Sequence, residues 1–69
     1  MIKYDVYKRP NGMLYRVDLA CPLHFRAEVF LSKVNLWVPS THKIGGVLSS
    51  ARSSLVARNV VFKASLCLQ

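Results

Sequence analysis

The sequence predicts a small α+β domain dominated by strands, and three observations predict it. Apolar and polar residues alternate on both sides of a Pro-Asn-Gly turn near the N-terminus, a later stretch is spaced for one face of a helix, and the alternation returns at the C-terminus. The 69 residues are read as one domain, 1–69. A core of this size buries only roughly 60% of the surface its unfolded chain exposes, so it is marginal by itself. Yet 52% of the residues are hydrophobic and 19% are charged. The excess apolar surface calls for a cover, and a homodimer or a docked partner is expected.

The first element is a hairpin. Ile2, Tyr4 and Val6 alternate with Lys3, Asp5 and Tyr7; after Pro10-Asn11-Gly12, Met13, Tyr15, Val17 and Leu19 alternate with Leu14, Arg16 and Asp18. Asn-Gly suits a two-residue type I′ turn, which pairs Val6 with Val17 and Tyr4 with Leu19. That register leaves Asp5 facing Asp18, with Arg16 on the diagonal. Beyond Pro22, Phe25, Ala27, Val29 and Leu31 share one parity while Val34, Leu36 and Val38 take the other. The phase change across Ser32-Lys33 marks either a bulge in one bent strand or the turn of a second hairpin.

Ile44, Val47, Leu48, Ala51 and Leu55 follow helical spacing, which predicts a helix over 46–58 with Arg58 in its last turn and Asn59 as its C-cap. Gly45-Gly46 and the serines at 49, 50, 53 and 54 are weak helix formers, so such a helix depends on packing. Val60, Phe62, Ala64, Leu66 and Leu68 then alternate with Val61, Lys63, Ser65 and Cys67, which reads as a C-terminal strand. Hairpin, one or two strands, helix and strand together fit a small α+β domain or a partly open SH3-like barrel.

Ten lysines and arginines against three acids give a net charge of +7, which points to an acidic or polyanionic partner. Lys8 and Arg9 flank the hairpin turn, and Lys43, Arg52 and Arg58 lie in or around the expected helix. Tyr7, Tyr15 and Trp37 are interleaved with them and suited to stack on bases or guanidinium groups. Tyr7, Lys8, Arg9, Trp37, Lys43, Arg52 and Arg58 are the candidate binding residues.

Catalytic chemistry is poorly supplied. Asp5, Asp18 and Glu28 are the only acids, and no Gly-x-Ser-x-Gly frame positions a serine nucleophile. RNA cleavage needs few acids: His24 or His42 would move the proton and Arg26 or Arg52 would hold the developing charge. Cys21, His24, His42 and Cys67 would complete a four-ligand zinc set, but their gaps match no common zinc-module spacing. No catalytic residue, metal or cofactor is assigned. Two cysteines suit a reducing compartment, and charges interrupt every apolar run, so the expected location is cytoplasmic with no membrane contact.

Tyr4-Asp5-Val6-Tyr7-Lys8-Arg9-Pro10-Asn11-Gly12, followed by Tyr15-Arg16-Val17-Asp18-Leu19, resembles the opening of CcdB-type plasmid toxins. A later basic-then-apolar stretch of that family looks like His24-Phe25-Arg26-Ala27-Glu28-Val29-Phe30-Leu31 here. The resemblance covers roughly the first 31 residues. It implies an SH3-like barrel that dimerises, a fold shared with the MazF-type RNA-cleaving toxins. The family ends in a helix whose terminal residues engage DNA gyrase; Phe62 to Gln69 reads as a strand instead, so gyrase poisoning does not transfer residue by residue.

Charge, size and resemblance converge on a small, basic, non-enzymatic effector. It is expected to bind and inhibit nucleic-acid machinery such as gyrase or RNA polymerase, through an acidic protein surface. Direct binding of nucleic acid is the alternative expectation, and a small RNA-cleaving toxin the second.

Overall fold

Pro10 decides how the first hairpin closes. A two-residue Asn11-Gly12 loop needs the amide of residue 10 to donate across to Met13, and proline has no amide hydrogen. The chain closes a three-residue loop instead: Gly12 N donates to the Arg9 carbonyl at 2.8 Å and Arg9 N to the Met13 carbonyl at 3.2 Å, with Gly12 at φ 81°. Asn11 pins this turn with its side chain, accepting the Met13 amide on Oδ1 at 2.9 Å and donating from Nδ2 to the Tyr15 hydroxyl at 3.1 Å.

The computed structural model describes residues 2–62. In it β1 (Lys3–Lys8) pairs with β2 (Leu14–Asp18) as Asp5↔Val17, Val6↔Arg16 and Tyr7↔Tyr15. The pairing expected from alternation, Val6 with Val17, is therefore one residue out. A slip of one residue exchanges faces. Tyr7, Tyr15 and Val17 share one face, and Val6 shares the other with Arg16. Asp5 faces Val17 and Asp18 faces Tyr4, so the expected juxtaposition of two carboxylates does not arise.

The phase change at Ser32-Lys33 resolves into a second hairpin. Strand β3 (Arg26–Leu31) pairs with β4 (Leu36–Lys43), and Val34 N returns to the Leu31 carbonyl at 3.2 Å. Asn35 takes φ 59°, a left-handed conformation that asparagine tolerates better than most residues. Between Pro39 and Lys43 the β4 register shifts against β3. Buried Ser40 spans the irregularity, donating to the Ala27 carbonyl at 2.7 Å and accepting the His42 amide at 3.1 Å.

The helix is far shorter than the periodicity predicts. Helix α1 covers Ile44–Ser49, and Ser50 is already extended at φ −75°, ψ 126°. Ile44 and Val47 are buried as expected, but Ala51 lies in a turn and Leu55 in strand β5 (Ser54–Val61). Two physical reasons favour this outcome. Glycine and serine propagate a helix poorly, and residues 54–61 gain ladder hydrogen bonds to the open edge of β1. Arg58 and Asn59 belong to that strand, and Asn59, at φ 54°, is left-handed inside a bulge rather than at a helix end. Strand β5 meets the expected C-terminal strand only at Val60 and Val61; the part of that expected strand from Lys63 on, including Cys67, lies outside the described residues.

The strands form one five-stranded antiparallel sheet in the order β4-β3-β2-β1-β5. Among the described residues this is an open sheet rather than a closed barrel, with α1 packed on one face. Tyr15, Val17, Ala27, Val29, Ile44 and Val47 make the core between sheet and helix. Val17 and Val47 are fully buried, each worth roughly 1.5–3 kcal/mol relative to exposure. No helix among the described residues is long and apolar enough to cross a membrane.

Candidate functional site

Strand register sorts the cations. Lys8 pairs with Leu14 and Ser54 at the end of the sheet that holds the first turn, and Arg9 follows it. Arg9 Nη1 donates to Ser53 Oγ at 3.0 Å, which ties the turn to the loop carrying Arg52. Because Tyr15 pairs with Val29, the β3–β4 turn with Lys33 reaches the same end. Lys8, Arg9, Lys33 and Arg52 therefore gather at the turn end. Lys43 lies at the opposite end, paired with Arg26, and exposed Arg58 lies along edge strand β5.

The three acids lie elsewhere. Asp5 Oδ1 accepts the Asn59 amide at 3.1 Å, Asp18 Oδ1 accepts the Ala20 amide at 2.9 Å, and Glu28 pairs with Arg16 at 2.7 Å. None stands at the turn end, so among the described residues the positive field there has no local counter-charge.

The sequence-predicted aromatics are mostly spent on the fold. Tyr15 is buried in the core, and Tyr7 is half-buried against it. Trp37 lies on the face away from the helix, where it helps enclose Arg16. The Arg16 guanidinium carbon sits 4.2 Å from the ring centre of Tyr4, 4.6 Å from Phe62 and 4.8 Å from Trp37. Trp37 also meets Phe30 at 5.1 Å and Phe62 at 5.4 Å. Arginine enclosed by rings on this scale is held by cation–π attraction as well as by its carboxylate.

Between the two turns lies a groove of about 620 Å³, lined by Met13, Leu14, Phe30, Leu31 and Val34 with Lys33 at its side. Gly12 leaves its end open, since a side chain there would meet nothing within 4 Å. Lys8 is the cross-strand partner of Leu14, and Arg9 of Met13, so cations flank the groove on two sides. Sequence reasoning missed Lys33 and the groove. The phase change at Ser32-Lys33 signals the turn, but only the β2–β3 pairing brings it beside the first.

The groups considered for chemistry are dispersed. His24 packs edge-on against Phe25 at 5.0 Å and His42 against Tyr15 at 5.4 Å. Both lie toward the end of the sheet that carries Arg26, whereas Arg52 is at the other end. Among the described residues no three of His, Cys, Asp and Glu stand close enough to share a metal ion. The Cys21 thiol titrates above its ordinary range, because it is partly desolvated, hydrogen-bonded to Asp18 and close to the charges of Asp18 and Glu28. Such a thiol is a poor nucleophile at neutral pH.

Comparison with family models, with curated proteins and with solved structures finds no match to this chain.

Proposed function

We propose that this protein is a small non-enzymatic effector that docks, through the turn end of its sheet, on an acidic protein surface of the kind nucleic-acid machinery presents. The observation that carries the reading is the segregation of charge: Lys8, Arg9, Lys33 and Arg52 share one end, and all three acids lie away from it. Cations arranged in this way steer an acidic partner and fix its orientation. The strand order, with β1 between β2 and β5, supports an SH3-like reading of the fold.

The apolar groups at the turn end favour protein over nucleic acid. Bases bind by stacking on accessible aromatic faces. Tyr15 and Tyr7 are turned into the core, Trp37 is engaged with Arg16, and the groove is lined chiefly by aliphatic side chains.

An affinity pull-down from bacterial lysate tests the reading, run with and without nuclease. Wild type is set against Lys8→Glu/Arg9→Glu/Arg52→Glu and against Arg26→Glu/Lys43→Glu at the far end. One stoichiometric, nuclease-resistant protein, lost with the first variant and kept with the second, is the expected result. Heterogeneous nucleic acid that disappears with nuclease would instead establish direct nucleic-acid binding.

A further inference from the structure

The edges of the sheet are poor docking sites. Edge strands that accept another chain are long, regular and free of blocking residues. Strand β4 carries Pro39 and Lys43, and the β5 register against β1 shifts twice within eight residues. Recognition by strand addition is therefore disfavoured.

We propose that the groove between the two turns is a peptide subsite. It receives an aliphatic or aromatic anchor from an acidic segment of the partner, with the flanking carboxylates meeting Lys8 and Lys33. This rests on the reading of the turn end as the docking surface and adds to it a required side-chain class. At about 620 Å³ the groove lies within the range of sites that hold small ligands or a few side chains. Its wall is mostly hydrocarbon from Met13, Leu14, Phe30, Leu31 and Val34, with Ser32 among the lining residues, and the charges beside it among the described residues are positive. An anchor without acids leaves those cations unmatched, and acids without an anchor leave the hydrocarbon wet. Only a segment with both satisfies the groove and its rim.

Val34 is the position to vary, because it is exposed in the β3–β4 turn, contributes to the groove and is absent from the core. A random peptide library displayed on phage is panned against the immobilised full chain, and enriched peptides are titrated against wild type, Val34→Asn and Lys8→Glu/Lys33→Glu. Enrichment of acid-rich peptides with an apolar anchor, weakened about tenfold by Val34→Asn and by the charge reversal, is expected. Amide shifts in the wild-type complex should centre on Met13, Leu14, Leu31 and Val34. Acidic peptides that need no anchor and ignore Val34→Asn would overturn the subsite while leaving the cationic docking end standing. Enrichment of neutral or basic peptides, or none at all, would overturn both.

Discussion

Arg16 donates through Nε to Glu28 Oε1 at 2.7 Å, with its side chain only 8% exposed and that of Glu28 32% exposed. The two residues face each other across β2 and β3, and the guanidinium lies among the rings of Tyr4, Trp37 and Phe62. Removing the carboxylate strands a desolvated cation, whereas removing the cation leaves an acid that can reach water. Glu28→Ala should therefore cost about 1–3 kcal/mol in urea unfolding, and Arg16→Met less. A larger loss for Arg16→Met would mean that the rings, not the carboxylate, hold this side chain.

Gly12 supplies the left-handed residue that ends the first turn, and space around it is open. The cost of a side chain there is conformational alone. Gly12→Ala should destabilise by about 1 kcal/mol and Gly12→Asn by less, since asparagine tolerates positive φ. Equal losses for the two variants would contradict the assigned turn.

The paired glycines of α1 should respond differently to alanine. A methyl group on Gly46 meets nothing within 4 Å, so Gly46→Ala should gain roughly 0.5–1 kcal/mol from helix propensity. On Gly45 it would come within 3.3 Å of Leu23 Cβ and 3.4 Å of the Leu23 carbonyl oxygen, while the Gly45 amide already donates to that carbonyl. Gly45→Ala should fail to stabilise, and thermal melts of the two variants separate the cases.

Desolvation first, then Asp18, raises the titration of the Cys21 thiol. Less of it is thiolate at mildly alkaline pH than in an unstructured peptide, and the thiolate is the reactive form. Iodoacetamide should therefore alkylate Cys21 more slowly in the folded chain than after denaturation, with site-resolved mass spectrometry separating it from Cys67. Asp18→Asn removes one of the charges and should speed the folded-state reaction. No change with Asp18→Asn would remove the carboxylate as a cause.

How much was legible in the sequence differs by element. The Pro-Asn-Gly turn and its two strands follow from alternation, but their register hinged on one missing amide hydrogen at Pro10. Asn59 was readable as a residue that takes positive φ; its place in a bulge was not, because that depends on the Asp5 carboxylate accepting its amide across the β1–β5 pair. Helical spacing over 44–55 was genuine only through Ser49, since a free strand edge outcompeted weak helix formers. Arg16 read as a diagonal neighbour of Asp5 and is instead enclosed by Tyr4, Trp37 and Phe62, which come from other parts of the chain.

Composition and local pattern by themselves determined the charge of +7, the strand-rich α+β class, the first hairpin and the poverty of catalytic groups. These depend on residue identity and on neighbours along the chain. Tertiary structure alone decided which cations share an end, that Trp37 serves Arg16, and that two distant turns frame one apolar groove. Each of those relations is set by pairing between strands far apart in sequence, where hydrogen-bond register and burial, rather than local preference, choose the neighbours.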